Sequence, residues 1–235
     1  MTAGTYPSPE PVEDPEALRA DEAAYRDLAD AVRELLDLTV RTRVDQPERA
    51  AVATEVRALS ARLSARAQDG PLGLETTSDG RLRDHGNPMV GMRNPVAPPL
   101  TVRQTGEGEA AADPFVLGAA YEGPPGHVHG GIIASVLDQV LGTVPAIVGR
   151  PGMTAYLNLT YRRPTPLGQV SGRARVAGTD GWKTTVTGEL LDADGQVTVE
   201  AEGLFVVPRW ARQYLGTPTG DAGDFEAPAE AGPDA

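Results

Sequence analysis

The residues of this chain whose types and spacing could do chemistry are His129-Gly130-Gly131 and, inside the apolar run that follows, the lone carboxylate of Asp138. A carboxylate in apolar surroundings loses hydration worth several kcal/mol, and glycine is the poorest helix former after proline. Both features cost stability, which points to a site. Asp138 has the chemistry of a general base. Gly130 and Gly131, at a helix start, leave backbone N–H groups free in the first turn, where the helix dipole also favours negative charge. That is a place to stabilise an oxyanion. Gly131, Ala134 and Gly142 share a helical stripe with Asp138, so the acid sits in a groove lined by small residues that a ligand or another chain could enter. The alternatives are a close helix crossing in which Asp138 bonds a backbone amide, and a helix start that His129 merely caps.

The elements that must position these groups can be read on either side. Asp14-Pro15-Glu16 and Asp45-Gln46-Pro47-Glu48 each place an acid at the N-cap with proline in the first turn. Leu18, Tyr25, Leu28, Val32, Leu35, Leu36 and Val40 follow the first at helical spacing, and Val52, Val56, Leu59 and Leu63 follow the second. These spacings predict a helical hairpin over 14–69. Residues 70–99 are rich in Pro, Gly and Asn without a sustained period and read as an irregular connector. Strand patterns then cover Leu100–Thr105 and Ala111–Tyr121, and, after the central helix, Met153–Arg163, Gln169–Thr179, Trp182–Asp192 and Gln196–Val207. Asp180-Gly181 and Asp194-Gly195 are strong hairpin signals, so the four later strands are expected to form an antiparallel meander. In the second of them Val170, Ala174 and Val176 share one face, and Ser171, Arg173 and Arg175 the other.

A helix apolar on most sides must be surrounded. The expected fold is therefore α+β: an antiparallel sheet wrapped around a long central helix within 100–208, with the helical hairpin in front and acidic, Pro/Gly-rich tails at 1–13 and 209–235.

Composition narrows the function classes. The formal charge of −12, with no basic stripe, argues against a nucleic-acid partner. The chain has no cysteine, which removes disulfides, thiol nucleophiles and thiolate metal sites. All but one of its 21 basic residues are arginine, the exception being Lys183. The first residues lack the basic and apolar regions of a secretory signal, so a cytoplasmic location is expected. The run 131–149 has membrane-like length but holds Asp138, Gln139 and Pro145, and reads as a core helix with no membrane insertion.

Three elements together, Tyr121-Glu122-Gly123-Pro124-Pro125-Gly126-His127-Val128-His129-Gly130-Gly131, then Asp138, then Gly152-Met153-Thr154-Ala155-Tyr156-Leu157-Asn158-Leu159-Thr160-Tyr161-Arg162-Arg163-Pro164, resemble the hotdog-fold acyl-CoA thioesterases of the PaaI-like and thioesterase-superfamily-member branch. The resemblance covers roughly 94–207. It implies hydrolysis of an acyl-CoA to free acid and CoA in a homodimer or homotetramer, without metal or cofactor, each site lying across the interface of two protomers. Asp138 of one chain would activate water, direct attack being the alternative, while the Gly130 N–H, with His129 and Gly131 beside it, polarises the thioester carbonyl from the other. Thr154 matches the position that holds the water, and Thr160, Arg162 and Lys183 match positions that contact coenzyme A. Thr154, Thr160 and Arg162 share parity with Tyr156 and Asn158, so in an unbroken strand they line one face; Asn158 is expected to join them as a substrate contact, the alternative being that this polar face simply meets solvent. Some relatives carry an amide side chain upstream of the paired glycines, where this chain has Glu122-Gly123-Pro124-Pro125.

A metal site at His127-X-His129 lacks further ligands nearby, since the remaining histidine is His85. A hydratase would need a histidine downstream of Asp138, and a serine hydrolase a G-x-S-x-G elbow; neither is present. The rival reading is a non-catalytic hotdog domain that binds acyl-CoA as a sensor or scaffold.

Overall fold

The computed structural model describes residues 14–70, 74–76, 82–209, 211–212, 217–218 and 225–226. The expected tail 1–13 lies outside the described residues. Two compact units divide at Ala97 and Pro98.

In the first unit, helices α1 (Pro15–Arg41) and α2 (Gln46–Ser64) start where the sequence places them. The Asp14 carboxylate accepts from the N–H groups of Glu16 and Ala17, and that of Asp45 from Glu48, so each acid satisfies orphan donors of its first turn. The connector is more regular than expected. It contains the short antiparallel strands β1 (Leu74–Thr76) and β2 (Leu82–Asp84), then turns held by the Asn87 side chain, which accepts from the N–H groups of Met89 and Val90. This segment is tied to α1: Arg93 stacks 3.5 Å from the centre of the Tyr25 ring, and Arg33 donates to the Ala97 carbonyl. No residue of α2 is buried, and Val52, Leu59 and Leu63 are exposed.

The second unit is built on a six-stranded antiparallel sheet. Its strands are β3 (Val102–Gly106), β4 (Glu109–Leu117), β5 (Met153–Tyr161), β6 (Gly168–Asp180), β7 (Lys183–Leu191) and β8 (Val197–Val206), in the order β3-β4-β6-β7-β8-β5. The alternation on β6 is as expected, with Val170 and Ala174 buried and Arg173 and Arg175 exposed. The four-stranded meander is corrected. Strands β6, β7 and β8 follow one another through the Asp-Gly turns, but β5 pairs with β8 at the sheet edge. The reason is in the linker: Arg162-Arg163-Pro164-Thr165-Pro166-Leu167 carries no hairpin signal, and two prolines deprive it of ladder donors. It crosses instead past two strands, pinned where the Val128 N–H donates to the Thr165 carbonyl and the Thr165 hydroxyl to that of Thr198.

Helix α3 (Gly130–Ile147) lies on this sheet and buries Ile133, Val136, Leu137, Val140, Leu141, Val144 and Pro145. By length and composition it could cross a membrane; here its apolar face is spent on the core. Small residues let it approach. Ala110, Ala174, Gly188 and Ala201 stand opposite one another across four strands, and a Cβ on Gly188 would lie 2.5 Å from a methyl of Leu141. Within the expected C-terminal tail, β9 (Thr217–Pro218) pairs with β10 (Phe225–Glu226).

Candidate active site

Asp138 is half-buried on α3, and the groove expected around it is partly filled by the chain's own side chains. A Cβ on Gly142 would meet the Phe205 ring at 3.3 Å, and one on Gly131 the His129 ring at 3.2 Å. Gly131 is itself exposed, and Ala134, Asp138 and Gly142 are half-buried, so the stripe stays partly accessible. The Thr154 hydroxyl donates to Oδ1 of Asp138 at 2.8 Å, which orients the carboxylate and leaves its other oxygen without a hydrogen-bond donor among the described residues.

Thr154 reaches the helix because β5 is not an unbroken strand. Ala155 has no partner on β8: Thr154 stands opposite Phe205, and Tyr156 opposite Leu204. This bulge reverses the alternation. Thr154 therefore faces α3, whereas Tyr156, Asn158, Thr160 and Arg162 face the other side, and the expectation that all five share a face is corrected. Tyr156 donates to Glu202 at 3.2 Å, and Arg162 to Glu200 at 2.6 Å. Asn158 and Thr160 line an open groove of about 950 Å³ on the outer face of the sheet, together with Arg173, Glu189 and Glu200. Hydrogen bonding to Glu200, followed by its charge, raises the Arg162 pKa above the usual guanidinium value, so this side chain is engaged within its own chain. Lys183 is exposed beside Thr179, Asp180 and Leu204. None of Asn158, Thr160, Arg162 and Lys183 meets Asp138 or the helix start.

At that start, His129 is the N-cap, and its Nδ1 accepts from the Gly131 N–H at 3.0 Å. One of the two expected amide donors is thus already used. The Gly130 N–H has no acceptor among the described residues. The segment before it is fixed from several directions: the His129 N–H donates to the Tyr121 carbonyl, the Gly123 N–H to that of His127, and the Leu167 N–H to that of Gly126. Tyr161, which no motif in the sequence singles out, donates from its hydroxyl to the Gly130 carbonyl at 2.8 Å. Strict alternation from Thr154 points this tyrosine away from the helix, and only the bulge at Ala155 turns it inward.

Gly130 and Asp138 are eight residues apart, a rise of about 12 Å along the helix. A base and an oxyanion donor that serve one carbonyl must each come within roughly 3 Å of the reacting atoms. Asp138 and Gly130 of one copy of α3 therefore stand too far apart along the helix to serve one carbonyl in those two roles.

Residues 125–199, which span Gly130, Asp138 and Thr154, match the family described as Thioesterase superfamily. Over 94 residues the chain is 37% identical to acyl-coenzyme A thioesterase THEM4 of Mus musculus and 34% identical to that of Xenopus laevis, covering 39% of this chain in each case. The chain spans about two fifths of the length of these relatives (40% and 42%). The match to a solved crystal structure of a thioesterase superfamily protein is longer: 36% identity, 77% of this chain, 94% of the other and a TM-score of 0.69. The chain belongs to the thioesterase superfamily. Its sheet and central helix are the hotdog fold of that superfamily, and Gly130 and Asp138 both lie in the segment that the family match covers.

Proposed function

We propose that the protein hydrolyses acyl-CoA thioesters to free acid and CoA. The observation that carries this reading is Asp138, half-exposed on the central helix of a thioesterase-superfamily fold and oriented by the Thr154 hydroxyl at 2.8 Å. In the proposed reaction the oxygen of Asp138 that Thr154 leaves unbonded takes a proton from water as the water oxygen bonds to the thioester carbonyl carbon. The carbonyl oxygen becomes an oxyanion held by the Gly130 N–H. The C–S bond then breaks, and the CoA sulfur leaves with the proton carried by Asp138. The THEM4 relatives, named as acyl-coenzyme A thioesterases, support the substrate class.

The proposed working unit is a homodimer. Strand β5 is a sheet edge with Met153, Tyr156 and Tyr161 exposed, and an edge of unpaired N–H and C=O groups with apolar side chains is a template for pairing. In the proposed dimer, joined there, Asp138 of one protomer works with Gly130 of the other, which would answer the separation of about 12 Å along a single helix.

Thiol release from a panel of acyl-CoAs tests the reading. The nearly isosteric Asp138→Asn should lose about 10²–10⁴-fold in turnover while its circular dichroism spectrum and CoA binding persist. Wild-type rates in that variant would exclude the mechanism, and CoA binding without Asp138-dependent release would assign the fold to a sensor or scaffold.

A further inference from the structure

Two hydrogen bonds at the start of α3 share one peptide group. The Tyr161 hydroxyl donates to the Gly130 carbonyl oxygen at 2.8 Å, and the N–H at the other end of that peptide, on Gly131, donates to His129 Nδ1 at 3.0 Å. Hydrogen bonds in series polarise one another, so the hydroxyl strengthens the N–H that the imidazole accepts. The paired glycines make room for both ends of the chain. A Cβ at 130 would stand 3.3 Å from the Tyr161 oxygen, and one at 131 would stand 3.2 Å from Nδ1.

The arrangement sets a tautomer. An Nδ1 that accepts carries no proton, so neutral His129 holds its proton on Nε2, as a donor directed away from the helix. His127 is set the other way: its Nδ1 lies 2.9 Å from the Pro125 carbonyl oxygen, which can only accept, so there Nδ1 carries the proton.

We propose that Tyr161 is a positioning residue that acts through the Gly130–Gly131 peptide to hold His129 as an Nε2–H donor beside the free Gly130 N–H. The thioester oxygen then meets one backbone and one side-chain donor, and the imidazole supplies what the segment Glu122–Pro125, without an amide side chain, does not. This inference rests on the thioesterase reading for its catalytic half only.

Long-range proton–nitrogen NMR on the three histidines, at alkaline pH where imidazoles are neutral, reads the tautomers without substrate. The expected spectrum shows Nε2–H for His129 and Nδ1–H for His127. Tyr161→Phe, which keeps the ring and removes only the hydroxyl, should move the His129 nitrogens toward a tautomer mixture and lower kcat by about tenfold with KM within twofold, a fraction of the roughly 10²–10³-fold lost when an oxyanion donor is deleted outright. An Nδ1–H tautomer at wild-type His129, or a Tyr161→Phe variant with unchanged nitrogen shifts, overturns the proposal. Shifted nitrogens with unchanged kcat overturn its catalytic half. Absence of turnover in the wild type counts against the thioesterase reading alone, because the spectra still decide the tautomer.

Discussion

At the scale of the residue, the arrangement turns on which oxygen or nitrogen each small group leaves open. Thr154 takes one oxygen of Asp138 and leaves the other. His129 takes the Gly131 N–H and leaves that of Gly130. A hydrogen bond to a charged group is worth about 1.5–3 kcal/mol, so Thr154→Val, which keeps the shape and removes the donor, should lower kcat by about 10–100-fold. Thr154→Ser should stay close to wild type. Steady-state kinetics check both, and a valine variant with wild-type kcat would remove Thr154 from the machinery.

At the scale of the element, the core depends on how closely α3 approaches the sheet. Gly188 sits under Leu141 in a row of small residues contributed by four strands. A methyl there has no space, since it would also lie 2.8 Å from the Arg173 carbonyl oxygen. Gly188→Ala should cost about 1–3 kcal/mol through overpacking, read as a lower urea midpoint with an unchanged slope. The helices and most strands were legible because each announces itself locally: Asp14 and Asp45 as caps, Asp180-Gly181 and Asp194-Gly195 as turns, Val170 and Ala174 as one face of a strand. The bulge at Ala155 was not, because nothing in Thr154-Ala155-Tyr156 departs from alternation. It forms when β5 must match β8 and also bring Thr154 to α3, a demand made from outside the segment. Its consequence was large, since it moved Asn158, Thr160 and Arg162 to the outer face and turned Tyr161 inward.

At the scale of the whole molecule, the proposed base and the proposed oxyanion donor stand about two turns apart on one helix, which asks for a second copy. The proposed dimer can be tested by complementation. Asp138→Asn keeps its Gly130 N–H. Gly130→Pro loses that N–H at a first-turn position where proline is tolerated, after a His129 already in extended backbone, and keeps Asp138. Each variant alone should be inactive. Refolded together at random, half of the dimers contain both chains and each of these has one intact site, so about a quarter of wild-type activity should return. No recovery, with mixed dimers demonstrated by mass, would show that the site is contained in one chain.

The sequence by itself determined the α+β class, the central helix, the strand content, the two capped helices and the pairing of Gly130 with Asp138 as candidate chemistry. These follow from caps, turns and periodicity, which act over a few residues. Only the tertiary structure decided that β5 lies beside β8 rather than β6, that its bulge selects Thr154 for Asp138, that Arg162 is held by Glu200, and that Tyr161 reaches the helix start. Each of those joins residues far apart in the chain, where packing and hydrogen-bond geometry, not local pattern, select the partner.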